Sequence, residues 1–349
     1  MTTRVGSAAL TRFVVASRYM PVYIAFAVLI VVAAVWVPNA LSSVAISQVA
    51  PFGAVLAIAA LGQMLVVMTA GIDLSTPATL TLSMVIMTGV GMQSDDRIGL
   101  AIVVALGVAA LIGLVNGILI GGFKLNALIV TLAVGQVVIG IINRYGRTFP
   151  VQSQAPARWI DWTNARSLGL SNVFWVGLGV TVLLALGFRY TTIGRRFQVV
   201  GANPVAAHVV GIRVNLNQIL VYVVAALFYA AAGLALAGLL RTPGVAVNNQ
   251  YLLGPIAAVV IGGASLTGGL ASAGSTFVAA IFLTGLNQMM RSMGLGTALQ
   301  FVVFGLVIVG GMLVSGDRII KAVERVFRER RRSSPSEEEG REAPIEMSK

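Results

Sequence analysis

The acidic residues of this chain are placed so that most of it can lie inside a bilayer. No Asp or Glu occurs between Asp161 and Asp317, and Asp73 is the only acid between Met1 and Gln93. Long apolar runs fill these intervals, so that 57% of the residues are hydrophobic and only 10% are charged. In lipid a helix satisfies its own backbone hydrogen bonds. The pattern therefore predicts an all-α integral membrane protein.

The apolar runs have the length of membrane-spanning helices, which need about 20 residues. Ten spans are predicted, and they are 20–37, 50–71, 76–92, 99–122, 126–143, 172–189, 217–240, 252–266, 270–290 and 297–315. The eighth is short and ends at Gly262-Gly263, which indicates a partial or broken helix. We expect about ten transmembrane helices, some short or broken, in a transmembrane domain over 20–315. A cytoplasmic segment (1–19) would precede this domain, and a basic, then disordered, tail (316–349) would follow it.

Charge placement predicts the orientation. Under an N-in, C-in topology, the cytoplasmic ends and the base of the tail carry about twice as many Lys and Arg as the external segments, as the positive-inside rule requires. The formal net charge of +12 is explained by this topology, so the lipid bilayer is an expected partner and nucleic acid is not. The first run is too long for a signal-peptide core, and it is predicted to be retained.

Several classes of chemistry are excluded by the residues available. The chain has no Cys and one His, His208, which leaves no disulfide, thiolate metal site or histidine cluster. No Gly-Lys-Ser/Thr phosphate loop is present, and no nucleophile–base–acid set can be assembled. We therefore expect no catalytic residues, no cofactor and no metal, and no ATPase site in the chain itself.

A basic loop between two spans, residues 191–218, is too long for a simple reversal of the chain. Within it, Asn203 occupies an N-cap position, Pro204 follows at the first helical position, and Gly211 is placed to end the helix. A capped amphipathic helix on the cytoplasmic side is suited to docking another protein. We interpret this loop as the surface through which a separate motor acts on the membrane domain.

The turn Gly71–Ser75 joins the second and third spans and contains Asp73. In one interpretation Asp73 lies at the membrane surface and caps the helix that Ser75-Thr76-Pro77 opens. In the other the turn dips into the membrane and faces a polar solute, since an ionisable group at membrane depth is functional by default. Both interpretations stay open from the sequence.

Amide side chains are frequent in the apolar spans. Asn116 lies in Gly113-Leu114-Val115-Asn116-Gly117, where glycines four residues apart favour close helix packing. Each such amide is either an interhelical hydrogen bond or part of a pathway for a neutral polar solute. The predicted pathway residues are Asp73, Gln63, Asn116, Asn287 and Gln288.

A glycine-rich turn follows the eighth span. Gly262, Gly263, Gly268 and Gly269 fall within eight residues, which permits sharp backbone turning and tight packing at the cytoplasmic face.

Three segments together resemble the permease subunit of bacterial ATP-binding-cassette importers, in the family of the ribose, galactose, xylose and arabinose permeases. They are Gly71–Ser75; Thr192-Ile193-Gly194-Arg195-Arg196 with Gly201-x-Asn203-x-x-Ala206-Ala207-x-x-x-Gly211-Ile212; and Ile256–Gly263 continued by Ser265-Leu266-x-Gly268-Gly269. The likeness runs from about residue 40 to 315. The chain differs from the family pattern at Leu252–Pro255, which replaces an acidic pair, and at Pro77 and Asn126.

The resemblance implies partners and a role for the loop. A cytoplasmic ATPase would dock on a coupling surface formed by Gly201, Asn203, Ala206, Ala207, Gly211, Ile212, Arg195 and Arg196. A periplasmic solute-binding protein and a second permease, identical or paired, would complete the importer. The expected function is ATP-driven uptake of a small neutral solute, most simply a monosaccharide, across the bacterial inner membrane. Alternatives are an importer of branched-chain amino acids or nucleosides, and an ion-coupled secondary transporter.

Overall fold

The structure, a computed structural model, describes residues 3–148, 154–241 and 250–315, and these are almost entirely helical. The α-helices in these ranges are α1 (Thr3–Trp36), α2 (Ser43–Met68), α3 (Thr76–Gly91), α4 (Ile98–Gly117), α5 (Ala127–Thr148), α6 (Ala157–Asn164), α7 (Asn172–Tyr190), α8 (Thr192–Ala202), α9 (Pro204–Val209), α10 (Val214–Leu240), α11 (Gln250–Ile261), α12 (Ala273–Ser292) and α13 (Thr297–Ser315). Short 3-10 turns occur at Pro38–Leu41 and Asp95–Arg97, and a π-helical turn, Ile118–Gly122, extends α4. Strands β1 (Arg166–Ser167) and β2 (Leu170–Ser171) form an antiparallel hairpin.

Each of the ten predicted spans coincides with a helix, namely α1–α5, α7 and α10–α13. Six helical segments in the described ranges are long and apolar enough to cross a membrane. The helices α3 and α11 are shorter, and α11 has only 12 residues, as expected for a partial eighth span. The all-helical membrane fold is therefore confirmed, while ten crossings and the N-in, C-in orientation stay predictions. The predicted tail, 316–349, lies outside the described residues.

Several boundaries differ from those predicted. The helix α2 begins at Ser43 rather than at 50, because the Ser42 hydroxyl caps it by accepting a hydrogen bond from the Ala45 amide at 3.2 Å. The helix α1 runs from Thr3, so the predicted boundary at residue 19 falls inside a helix. The segment 144–171, which lies between the fifth and sixth predicted spans, contains α6 and the hairpin. Elements of two to eight residues are too short to give a periodic pattern.

Two helices form the centre of the molecule. In the apolar windows of α2 and α10, 67% and 61% of the residues are buried, whereas in the other spanning windows 17–28% are. The helix α2 packs against α7, α10, α11 and α12, and α10 packs against α2, α3 and α4. The helices α1, α5 and α13 lie farther out, against α12, α3 and α11 respectively. The exposed apolar faces of the outer helices are suited to contact lipid.

The connections between helices gather at two ends of the molecule. At one end, here called the basal end, the Gly269 amide donates to the Met68 carbonyl (2.8 Å), and the Arg18 Nε donates to the Gly263 carbonyl (2.8 Å). The helices α8 and α9 lie at this end. The opposite end contains α6, where the Ala155 amide donates to the Arg241 carbonyl at 2.9 Å. Successive long helices run alternately between these two ends.

Glycines bring α4 and its π-helical extension into backbone contact with α10. A Cβ on Gly113 would lie 2.5 Å from the Tyr222 carbonyl oxygen, and one on Gly117 would lie 2.8 Å from the Ile219 Cα. No larger side chain fits at these positions without movement of α10. The predicted packing role of the Gly113–Gly117 segment is confirmed, because small residues spaced by four allow such close approach.

Candidate functional site

The loop predicted over residues 191–218, here called the basal loop, contains the two short helices α8 and α9. A side chain caps the start of each helix. The Thr191 hydroxyl accepts from the Gly194 amide (3.1 Å) at the start of α8, and the Asn203 Oδ1 accepts from the Ala206 amide (3.0 Å) at the start of α9. The helix α9 begins at Pro204, as its sequence predicts. These caps satisfy amides that would otherwise be without partners, so the loop keeps a defined shape.

The end of α9 is fixed by a Schellman motif, in which two amides fold back onto the last turn. The Ile212 amide donates to the Ala207 carbonyl and the Gly211 amide to the His208 carbonyl, both at 3.0 Å. Gly211 has a φ of 81°, which this motif requires and glycine adopts without strain. The predicted role of Gly211 as the helix terminator is confirmed, and Ile212 takes part in the same motif.

The predicted coupling residues do not share one face. Ala207 is fully buried and Gly201 is buried, whereas Asn203, Ala206, Arg195 and Arg196 are exposed. The larger exposed apolar surface is formed instead by Val205 (75% exposed), Val209 (81%) and Val210 (71%). We call Val205, Val209 and Val210 the valine patch. Sequence reasoning missed it, although the spacing of Val205 and Val209 places both on one helical face.

Gly201 is the point at which the basal loop meets the centre of the molecule. A Cβ at this position would overlap the carbonyl oxygen of Met68, the last residue of α2. The same carbonyl accepts the hydrogen bond from the Gly269 amide. The end of α8, the end of α2 and the glycine-rich turn therefore converge at Met68, and only glycine fits at position 201.

The glycine-rich turn contacts α1, α12 and α8. The Gly263 carbonyl accepts from the Arg18 Nε on α1, and the Gly262 carbonyl accepts from the Ser275 hydroxyl on α12 at 2.6 Å. The last glycines of the turn pack against the end of α8, where a Cβ on Gly269 would lie 2.8 Å from the Ala202 Cβ. Gly263, Gly268 and Gly269 have φ values of 83°, 92° and 83°. These values explain why glycine occurs there.

A cluster of buried polar side chains surrounds Asp73, just beyond Met68. The Asp73 Oδ1 accepts from the Ser75 amide (2.8 Å) and from the Ser75 hydroxyl (2.6 Å). The Ser75 Oγ accepts in turn from the Asn116 Nδ2 on α4 at 3.0 Å. Asp73, Ser75 and Asn116 are each at most 1% exposed. Asp73 therefore lies inside the protein and not on its surface, and Ser75, which carries both links, was not among the predicted residues.

Two central helices complete this polar cluster. In the amide orientation that satisfies its neighbours, the Gln63 Nε2 donates to the Asp73 carbonyl (3.1 Å) and to the Tyr229 Oη (3.0 Å). The Gln63 Oε1 accepts from the Asp73 amide at 3.1 Å. Gln63 lies on α2 and Tyr229 on α10. The structure thus joins three predicted pathway residues, Gln63, Asp73 and Asn116, in one hydrogen-bonded group.

The electrostatics of Asp73 follow from its burial. Burial raises the pKa of Asp73 to about 6, although the hydrogen bonds from Ser75 act in the opposite direction. Its Oδ2 has no hydrogen-bond partner among the described residues, and neither does the Asn116 Oδ1. The carboxyl group is therefore poised to change charge near neutral pH.

The other two predicted pathway residues lie elsewhere. Asn287 and Gln288, on α12, line a cavity of about 560 Å³ between α2, α10, α11 and α12 that reaches the opposite end of the molecule. We call it the outer cavity. Its lining residues are Gln48, Val49, Phe52, Leu56, Leu240, Tyr251, Gly254, Thr284, Asn287, Gln288 and Arg291. Amide, hydroxyl and apolar groups alternate there, a surface suited to a polar solute with apolar faces.

The helices around a buried core, the capped basal loop and the outer cavity define a multi-pass membrane protein of the transporter class. A sequence family described as "Branched-chain amino acid transport system / permease component" matches residues 45–312. The chain belongs to this family.

Curated relatives agree with this assignment. The ribose import permease protein of Escherichia coli K12 is 31% identical over 300 residues, covering 84% of this chain and 92% of the relative. The fructose import permease protein of Rhizobium meliloti is 32% identical over 277 residues, covering 77% and 76%. The galactose/methyl galactoside import permease protein of Escherichia coli K12 is 27% identical over 311 residues, covering 82% and 91%. No solved structure matches the chain significantly.

Proposed function

We propose that this chain is the transmembrane subunit of an ATP-driven importer in the bacterial inner membrane, and that it forms the path of a monosaccharide. A cytoplasmic ATPase would supply the energy, and a periplasmic solute-binding protein would deliver the sugar. A second permease, identical or paired, would complete the membrane part. Family membership and the three sugar import permeases support this proposal.

The observation that carries the proposal is the basal loop with its valine patch. Three large apolar side chains stand in a small, capped loop where water would otherwise surround them. Surface patches of this kind mark protein interaction sites. Arg195 and Arg196 on α8 are exposed and would supply polar contacts to the same interface. In this proposal the valine patch contacts the ATPase, while Gly201 and Ala207 support the loop from inside.

The outer cavity is the proposed entrance of the solute path. A cavity of about 560 Å³ lies in the range of small-molecule sites. Its amides, those of Gln48, Asn287 and Gln288, can each donate to and accept from sugar hydroxyls. Its lining does not include Gln63, Asp73 or Asn116, so we assign the solute path to Asn287 and Gln288 and the Asp73 cluster to a structural role.

The same cavity bears on the rival importer of branched-chain amino acids, which the family description includes. A zwitterion would be bound best by both a cation and a carboxylate. Arg291 is a cation in the lining of the outer cavity, and no carboxylate occurs among the lining residues that the structure describes. This composition of the described lining residues favours a neutral, hydroxyl-rich solute over an amino acid.

The proposal is tested by measuring uptake in cells that express the chain together with the ATPase and the binding protein encoded beside it. Ribose, fructose and galactose would be compared, each after ATP depletion and after addition of an uncoupler. We expect uptake of at least one sugar to collapse on ATP depletion and to survive the uncoupler. Uptake that instead follows the proton gradient would support an ion-coupled transporter. Uptake of leucine but of no sugar would support the amino-acid importer.

A further inference from the structure

The turn between α2 and α3, residues 69–75, has contacts that reach far from the basal loop. It begins directly after Met68, whose carbonyl oxygen packs against Gly201 and accepts from Gly269. Any displacement of the end of α8 therefore meets the last residue of α2 first. The turn is the next segment of the chain.

The far side of this turn is joined to α4 by side chains. The Ser75 Oγ is the centre of this link, since it donates to Asp73 at 2.6 Å and accepts from Asn116 at 3.0 Å. Asn116 is fully buried on α4. Because the group is closed to solvent, its hydrogen bonds cannot be exchanged readily for bonds to water.

The same turn is joined to α5. The Leu74 amide donates to the Thr131 Oγ1 at 2.9 Å, and a Cβ on Gly135 would lie 3.3 Å from the Ser75 Cα. The helix α5 packs against α3, α4 and the π-helical turn, whereas α8 packs against α2, α7, α9 and α10. The turn thus connects the region around Gly201 with a helix on the far side of the molecule.

The helix α10 has a more direct connection. It begins at Val214, two residues after the Schellman motif that ends with Ile212. Motion of α9 therefore reaches α10 along the chain itself. The two routes differ for α5. The helix α10 follows the loop covalently and packs directly against α4, whereas α5 packs against α3, α4 and the π-helical turn and is linked to the loop through the turn.

We propose that the turn 69–75, held by Asn116 on α4 and Thr131 on α5, transmits displacement of the basal loop from Gly201 and Met68 to α5. Ser75 and Thr131 are positioning residues in this scheme, and neither touches the solute. The inference rests on the proposed ATP-driven function. It adds that α5 and α10 respond to the motor through different links.

A cysteine reporter on each route tests this inference, and the chain offers a clean background because it contains no Cys. Asn143→Cys places an exposed thiol on α5, and Leu240→Cys places one at the end of α10. Maleimide labelling would be followed in the assembled complex in liposomes, with no nucleotide and with Mg-ATP plus vanadate. In the parent protein we expect the labelling rate of both reporters to change by about tenfold, which corresponds to roughly 1.4 kcal/mol of coupling.

The double variant Ser75→Ala/Thr131→Val removes both side-chain links and leaves the Ser75 amide bond to Asp73. It should lose the nucleotide response at Asn143→Cys and keep it at Leu240→Cys. The matched control is Ser83→Ala/Thr181→Val. These buried hydroxyls donate within their own helices, to Thr79 and Gly177, and the control should keep both responses.

Each other outcome contradicts a stated part of the scheme. A retained α5 response in Ser75→Ala/Thr131→Val overturns the transmission role alone. Loss of both responses, with the ATPase still bound, shows a general structural role and also overturns it. Absence of any response in the parent protein overturns the ATP-driven function itself. If the first variant does not assemble, Asn116→Leu/Thr131→Val removes the link to α4 at Asn116 instead of at Ser75, keeps the change at Thr131, and is read in the same way.

Discussion

The backbone amide of Gly269 donates a 2.8 Å hydrogen bond to the carbonyl oxygen of Met68, at the place where Gly201 also packs. A helix end normally leaves its last carbonyls without intrahelical partners. Here the glycine-rich turn supplies one, and the end of α8 closes over it. Gly201 and the glycine-rich turn therefore pack together at the end of α2, and we call this contact the joint.

Gly201→Ala should weaken this joint, because its Cβ would overlap the Met68 carbonyl oxygen. We expect the purified protein to lose about 1–3 kcal/mol of stability, as for other overpacked sites, and uptake to fall. Thermal unfolding in detergent measures the first effect. The matched control is Gly179→Ala on α7, where a Cβ meets no atom within 4 Å. Equal unfolding temperatures for the two variants would contradict the joint.

Val209→Asp should abolish binding of the ATPase while leaving membrane insertion intact. Val209 is 81% exposed, so its substitution does not disturb the core, but it places a charge in an apolar contact. Loss of a hot-spot residue at the centre of an interface costs about 2 kcal/mol or more, which corresponds to a roughly thirtyfold loss of affinity. Co-purification with the ATPase is the measurement. Leu168→Asp is the matched control, since Leu168 is 90% exposed in the hairpin at the opposite end. Full retention of the ATPase by Val209→Asp would exclude the valine patch as the docking surface.

Ala207→Glu should also lose the ATPase, but for a different reason. Ala207 is fully buried, so a glutamate forces an unpaired charge into the packing beneath α9. We expect the loop to become sensitive to limited proteolysis in this variant and not in Val209→Asp. Protease resistance equal to that of the parent would show that Ala207 does not support the loop.

Asn287→Leu and Gln288→Leu should reduce sugar uptake without reducing ATPase binding, because each removes a donor and an acceptor from the outer cavity. Loss of hydrogen bonds to a polar solute costs about 1–3 kcal/mol, or a decrease of roughly 5- to 150-fold in transport efficiency. The matched control is Gln136→Leu on the exposed surface of α5, outside the lining of the cavity. Normal uptake by both cavity variants would remove the cavity from the solute path.

The stability of the protein should depend on pH through Asp73. Its pKa is raised from 3.8 to about 6, so the folded protein holds the proton more tightly than the unfolded chain does. The stabilisation is complete below about pH 4 and is lost as pH rises through about 6, at roughly 1.4 kcal/mol per pKa unit. The unfolding temperature of the parent relative to Asp73→Asn should therefore fall between pH 5 and pH 8. A difference that does not vary with pH would contradict a raised pKa.

The helices could be predicted from the sequence because their signals are local. Long apolar runs located α2 and α10, and Asn203, Pro204 and Gly211 located both ends of α9. A cap or an apolar run acts over a few residues, so its effect can be read without the rest of the molecule. The helix α6 was missed, since eight residues between a loop and a hairpin give no periodic pattern.

Tertiary packing alone decided which predicted residues work together. The sequence by itself determined a helical membrane protein, the capped basal loop and the resemblance to sugar permeases. It could not show that Gln63, Asp73 and Asn116 share one buried cluster while Asn287 and Gln288 line a separate cavity. It also could not show that Ala207 points inward and the valine patch outward. Burial and long-range hydrogen bonds depend on how α2, α4 and α10 pack, and no local pattern encodes that arrangement.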